Sequence, residues 1–231
     1  MVSVIIAAGG KGRRMGADKN KVFLDLNGKE ILAHTISAFE KNENTDEIII
    51  VTADEDIKTV ENIICREGFK KITAVTEGGI ERQDSVYNGL ICAKGEYVVI
   101  HVGARCLITD ENITAVINDA KKYGAASLGV KVKDTLKTVD ENGMIISTVD
   151  REKTVHIQTP QVFLREEIMD LHKKIKENGI AVTDDCSVFE HFGKKVYVTE
   201  GSYDNIKLTT PEDIITGCEI LRKREELSER K

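Results

Sequence analysis

The chain has 231 residues, 41% hydrophobic and 31% charged, with a formal net charge of −6. That length suits one sizeable domain with a full core, and the acidic balance argues against general nucleic-acid binding. No apolar run approaches the roughly 20 residues that span a bilayer, and no signal peptide is expected before the first apolar run.

Val2–Ala8 is that run, β-branched and continuous, and reads as a buried strand of a parallel sheet. It opens directly into Gly9-Gly-Lys-Gly-Arg-Arg-Met-Gly16 and then Asn20-Lys21. Glycines let backbone N–H groups turn toward a ligand, and the cations supply charge, so the loop reads as a polyphosphate cradle; a solvated basic loop is the plainer alternative. No Gly-Lys-Ser or Gly-Lys-Thr is present, which excludes a P-loop. Gly10-Lys-Gly12 begins a dinucleotide fingerprint, but its third glycine would fall at Met15.

Lys29–Lys41 is predicted as a helix, Glu47–Thr52 as a buried strand, Asp54–Arg66 as a helix with Ile57, Val60, Ile63 and Ile64 inward, and Lys71–Val75 as a strand. This alternation gives an α/β class with parallel pairing. His34, on the first of these helices, reads as structural or surface. Gly78-Gly79 is a turn, after which Asp84 or Ser85 caps a helix bearing Val86 and Leu90. Tyr97–His101 is the next strand, followed by Arg105; His101 is either a hydrogen-bonded structural residue or a catalyst. Thr109–Lys122 is a helix with Thr109 as N-cap, and Ala125–Val130 another strand.

Asn142-Gly143 centres a polar hairpin between 131–139 and 144–149. An isolated hairpin is marginal in water, so residues 131–157 are expected to form an arm that packs on a second copy. Helices are predicted at Leu164–Asn178 and, capped by Thr183, through Phe192. Strands follow at Lys195–Thr199 and Asp204–Leu208. The last helix starts at Thr210-Pro-Glu-Asp213 with Ile214, Ile215, Cys218 and Leu221 inward, and its charged end from Arg222 is expected to fray. The five cysteines are odd in number and lack C-x-x-C spacing, which fits free thiols in the cytoplasm.

Several segments together carry a family resemblance: residues 8–15, Gly78-Gly-Ile-Glu-Arg-Gln-Asp-Ser85, Lys133-Asp-Thr135, Asp150-Arg151, Gln158-Thr-Pro-Gln161, Thr183-Asp-Asp185 and 200–213. In that order they resemble the 2-C-methyl-D-erythritol 4-phosphate cytidylyltransferases over nearly the whole chain. The resemblance implies one nucleotidyltransferase-type domain, 1–231, with a Rossmann-like, mostly parallel sheet flanked by helices and a protruding hairpin arm. It implies transfer of a cytidylyl group from CTP to the polyol phosphate, with Mg2+ as cofactor, in a cytoplasmic homodimer without nucleic-acid or membrane partners. Arg14, Lys21 and Lys207 would be catalytic. Ala8, Gly9, Gly10, Gly12, Gly79 and Ser85 would line the nucleotide site. Arg105, Thr135, Thr159 and Lys207 would hold the polyol phosphate, with Arg151 reaching in from the partner's arm. No side chain is assigned to the metal. One segment departs from the family pattern His-Asp-Ala-x-Arg-Pro, reading His101-Val-Gly-Ala-Arg-Cys106. Val102 removes a carboxylate from beside the substrates. Two alternatives therefore stand beside the main reading, a ribitol 5-phosphate cytidylyltransferase and a low-activity nucleotide-binding paralogue.

Overall fold

The computed structural model describes residues 1–9 and 20–229. The Val/Ile-rich runs become the centre of one seven-stranded sheet because strands buried on both faces need no polar alternation. These are β1 (Val2–Ala7), β4 (Glu47–Thr52), β5 (Ile72–Glu77), β6 (Tyr97–Val102), β7 (Ala125–Lys131), β10 (Val155–Leu164) and β11 (Tyr197–Glu200). Their order across the sheet is β11-β7-β10-β6-β1-β4-β5, and only β10 runs antiparallel to its neighbours.

Successive side chains of each strand feed opposite layers. Val4, Ile6, Ile48, Ile50 and Val99 pack under α1 (Ile31–Lys41), α2 (Ile57–Glu67) and α4 (Asp110–Tyr123). Ile5, Ile49, Val51, Val98 and Ile100 pack under α3 (Arg82–Cys92), α5 (Arg165–Glu177) and α6 (Asp185–His191). Each such fully buried aliphatic side chain contributes roughly 2 kcal/mol of transfer free energy. A third cluster, Leu26, Ile31, Leu107 and Leu208, receives Ile214, Cys218 and Leu221 from α7 (Pro211–Glu229).

Where local pattern and structure differ, the cause is visible. The first helix begins at Ile31 rather than Lys29, because Lys29–Glu30 (β3) pairs with Asp25–Leu26 (β2) around Asn27 and Gly28, both at positive φ. In the second predicted helix Val60 and Ile63 are buried while Ile57 and Ile64 are half-buried, and Asp54–Asp56 is a separate 3-10 turn. Glu81, not Asp84 or Ser85, is the N-cap of α3, in a capping box with Asp84. Asp184, not Thr183, caps α6, accepting from the Ser187 N–H at 2.9 Å.

Residues 204–208 do not form a strand: the chain turns at Tyr203–Asp204 and runs on without regular structure. Asn205 N–H bonds Ser202 O and Ile206 N–H bonds Asp204 O, so these groups are satisfied locally. α7 continues past Arg222, which pairs with Glu219 and Glu226 on its own helix, and Ile215 points out at 72% exposure. The arm hairpin is β8 (Lys137–Val139) with β9 (Ile145–Thr148), a sheet of its own with every residue exposed. It is not purely polar, since Val139, Met144, Ile145 and Ile146 are all more than half exposed.

Candidate nucleotide site

The carboxyl ends of parallel strands are where an open α/β sheet leaves a crevice. Here the ends of β1, β4, β5 and β6 surround a cleft of about 760 Å3. Among the residues predicted for the site, Ala8, Gly9, Lys21, Gly79, Ser85 and Lys207 line it together. Gly10, Gly12 and Arg14 lie outside the described residues.

Each wall has a local cause. The Ala8 N–H bonds Val51 O at 2.7 Å, extending the β1–β4 pairing to the cleft. Asn20, quoted in the sequence only as Lys21's neighbour, anchors the far end of the glycine loop. Its Nδ2 donates to Ala8 O at 2.6 Å and to Asp56 Oδ2 at 3.0 Å, while its Oδ1 accepts from Val22 N–H. That fixes the 3-10 turn Lys21–Phe23 and brings Lys21 to the cleft.

The second wall is the turn Gly78–Glu81 with the first turn of α3. Gly79 N–H donates to Ser85 Oγ at 3.0 Å, and that hydroxyl donates to Glu81 O at 3.2 Å. A Cβ on Gly79 would stand 2.1 Å from Asp84 Cβ, which makes glycine obligatory there. Lys207 forms the third wall from the far end of the chain. The Leu208 N–H bonds Ala104 O at 2.9 Å, holding the segment against the end of β6.

Arg105 and Thr159 stand behind this wall rather than on it. Arg105 Nη1 donates to Asn205 O at 2.6 Å, and burial pulls its pKa down to about 10. Its side chain is partly buried, and no ion pair of it with a carboxylate is seen among the described residues. Asn205 is fully buried; its Nδ2 bonds Thr159 O at 3.0 Å while its Oδ1 has no partner. Thr135 and Arg151 are exposed toward the arm and do not line the cleft.

His101 is structural in its geometry. Thr159 Oγ1 accepts from Val102 N–H at 3.2 Å, so its own hydrogen is available for His101 Nδ1 at 3.1 Å. The proton then sits on Nε2, which donates to Arg105 O at 3.1 Å. Burial lowers the imidazole pKa to about 3, so the ring is neutral and not a general base facing solvent. His34 is likewise structural, bonded through Nε2 to Leu26 O at 2.7 Å.

At the cleft floor Val102 is partly buried against the apolar core. Among the described residues, the carboxylates that the cleft carries come from Asp54, Glu55, Glu77 and Glu81. Cys106, the other departure, is buried in the α7 cluster, and burial raises its thiol pKa to about 12. Two features escaped the sequence. The Thr52 hydroxyl, on a cleft-lining residue with no exposed surface, lacks a hydrogen-bond partner. Arg82 lines the cleft and pairs with fully buried Asp185 at 2.5 Å. Both residues stand inside quoted motifs, but nothing local joins positions 103 residues apart.

A profile of the family IspD, 2-C-methyl-D-erythritol 4-phosphate cytidylyltransferase, matches residues 2–223. A Clostridium botulinum (strain Eklund 17B / Type B) protein of that name is 47% identical over 218 residues, covering 94% of this chain and 97% of its own. A Bacillus mycoides (strain KBAB4) protein of the same name is 44% identical, covering 96% and 98%. Among solved structures, 4-diphosphocytidyl-2C-methyl-D-erythritol synthase from Anaerococcus prevotii superposes with a TM-score of 0.85 at 32% identity, covering 96% of this chain and 98% of that one.

Proposed function

The chain belongs to the 2-C-methyl-D-erythritol 4-phosphate cytidylyltransferase family, and from that membership we propose how its own residues carry out the transfer. The enzyme is a nucleotidyltransferase that joins CTP and 2-C-methyl-D-erythritol 4-phosphate to give 4-diphosphocytidyl-2-C-methyl-D-erythritol and pyrophosphate. Neither the ribitol 5-phosphate alternative nor the low-activity paralogue is favoured by these relatives.

The chemistry needs charge management more than proton transfer. A phosphate monoester loses its second proton near pH 6, so its oxygen is already a nucleophile at neutral pH. That oxygen forms a bond to the α-phosphorus of CTP, the α–β bridging bond breaks, and pyrophosphate leaves with the electron pair. Two highly charged anions must approach, so positioned cations are the main catalytic resource. The observation that carries the proposal is that Lys21 and Lys207, from opposite ends of the chain, line one cleft with the Gly79–Ser85 turn. In this reading Arg14 joins them. Gly9, Gly10 and Gly12 belong to the nucleotide site beside Ala8. Arg105, Thr159 and Lys207 hold the polyol phosphate.

Among the described residues no cluster of three acids, histidines or cysteines could hold a metal ion. Mg2+ binds through phosphate oxygens and water with one or two carboxylates. The ion is therefore proposed to arrive on the triphosphate, as part of the substrate. All five cysteines are free thiols, which supports a cytoplasmic location, and no helix among the described residues is long and apolar enough to cross a membrane.

Pyrophosphate release with CTP, measured against both polyol phosphates, tests the substrate. Turnover is expected with 2-C-methyl-D-erythritol 4-phosphate, and preference for ribitol 5-phosphate would overturn that choice. The exposed apolar residues of the arm support a homodimer in which Arg151 acts in the partner's site. Mixing Lys207→Ala and Arg151→Ala chains tests this, because one site of each mixed dimer then has both residues intact. Roughly a quarter of all sites should regain activity in an equal mixture. No recovery, with exchange of subunits verified, means that Arg151 does not act across the interface.

A further inference from the structure

The turn carrying Gly79 and Ser85 is closed largely by its own hydrogen bonds, with one backbone tie to the sheet, Gly78 N–H to Thr52 O at 2.7 Å, and a partly exposed ion pair of Asp84 with Lys176 at 3.1 Å. Besides the Ser85 hydroxyl bonds, Glu81 N–H reaches Asp84 Oδ2 at 3.3 Å, and Ile80 at its tip is fully exposed. The tie that reaches a fully buried anchor comes from Arg82. Arg82 leaves the turn and crosses to the start of α6, where Nη2 donates to Asp185 Oδ2 at 2.5 Å. Asp185 has no exposed surface and is itself held from three sides. His172 Nε2 on α5 donates to its Oδ1 at 3.1 Å, and its own N–H donates to Gln161 Oε1 on β10 at 3.1 Å. Gln161 Nε2 in turn donates to Asp184 Oδ2 at 2.8 Å. The anchor is thus tied to β10, α5 and α6 before it meets Arg82.

A buried ion pair contributes little net stability, because desolvating both charges offsets most of their attraction. Its use is geometric: an arginine held by a fixed carboxylate has one orientation, and the backbone that carries it inherits that orientation. We propose that Asp185 and Arg82 are positioning residues for the nucleotide, clamping the Gly78–Ser85 turn to the body so that the cleft is shaped for CTP before CTP arrives. A preformed site avoids the ordering cost of binding, and that advantage appears in the apparent affinity for one substrate. The inference rests on the reading that Gly79 and Ser85 line the nucleotide site.

The test is steady-state kinetics of Arg82→Gln, Arg82→Lys and Asp185→Asn in the full chain, with melting temperatures and KM for both substrates. Arg82→Gln should raise KM for CTP about tenfold, the scale of one charged hydrogen bond, with KM for the polyol phosphate changed less than about threefold. Arg82→Lys should recover part of the loss. His172→Asn, at the residue that bonds Asp185 Oδ1 rather than the Oδ2 that Arg82 uses, should lower the melting temperature and change KM for CTP less than Arg82→Gln does. If Asp185→Asn does not fold, the half-buried Arg82 variants decide the matter.

The inference is overturned if folded Arg82→Gln keeps a normal KM for CTP while Ser85→Ala raises it. It is also overturned if both KM values and kcat change together with the melting temperature, or if His172→Asn raises KM for CTP as much as Arg82→Gln does. If Ser85→Ala and Arg82→Gln both leave CTP binding intact, the nucleotide reading of the turn fails as well.

Discussion

Lys21→Ala and Lys207→Ala are each expected to lower kcat about a hundredfold or more, the usual scale for removing one donor to transition-state charge. The reason is the electrostatic setting of the cleft. Asp54, Glu55, Glu77 and Glu81 line it alongside Lys21 and Lys207, so the two lysines counter those carboxylates as well as the incoming phosphates. Removing either one leaves developing charge on the α-phosphoryl group in a partly desolvated site, where each interaction is stronger than in water. Lys21→Ala should act on CTP alone. Lys207→Ala should also raise KM for the polyol phosphate, because its segment is tied to Arg105 and Thr159 through Asn205. The double variant should fall short of the product of the two losses if both cations serve one transition state. Single-turnover rates within threefold of wild type for either variant, in a protein with normal melting behaviour, would remove that lysine from the catalytic assignment.

A second large effect is expected on stability in mild acid. His101 is neutral when folded, with its pKa lowered from the ordinary 6.5 to about 3 by burial. Between those two values the unfolded chain binds a proton there and the folded chain does not. The unfolded state therefore gains protons as pH falls, and stability drops with it across this window. Above pH 6.5 the contribution is fully present; near pH 3 it is gone, for a total of a few kcal/mol. The Asp185 carboxylate opposes its own burial through the Arg82 charge and the His172 hydrogen bond, and its pKa lies below the ordinary 3.8. Its stabilisation is thus present above that value and lost only as pH falls further, so His101 alone of the two acts between about pH 4 and 6.5. His101→Gln, whose side-chain amide can still donate to Arg105 O, should flatten the slope of unfolding free energy between pH 4 and about 6.5. Urea titrations at several pH values read this directly, and equal slopes in both proteins would remove His101 as the cause.

The elements legible in the chain are those whose determinants lie within a few residues. Val2–Ala7, Glu47–Thr52 and Tyr97–Val102 are apolar runs that need burial on both faces, and Thr109 and Pro211 mark helix starts through their own side chains. The hairpin at Asn27-Gly28 was hidden by helical spacing that continues through Lys29, and Asp204–Leu208 imitated a strand by alternation alone. In both places backbone groups found partners that periodicity does not register.

The site divides in the same way. The glycine-rich loop reads locally as a phosphate cradle, because glycines and cations gather at a strand end, whereas Gly78–Ser85 reads locally only as a turn and helix cap and joins the site through the family resemblance. The order of the later motifs then points to the family. Only the sheet order decides that Lys207 and Lys21 line one cleft, that Arg105 and Thr159 meet through Asn205 and His101, and that Arg82 reaches Asp185. The physical reason is that a strand, cap or turn is stabilised by neighbours in sequence, whereas a charge pair or a cleft wall exists only when distant strands stack side by side. Sequence spacing carries no record of that stacking, and the buried core that enforces it is nearly blind to which polar residues it brings together.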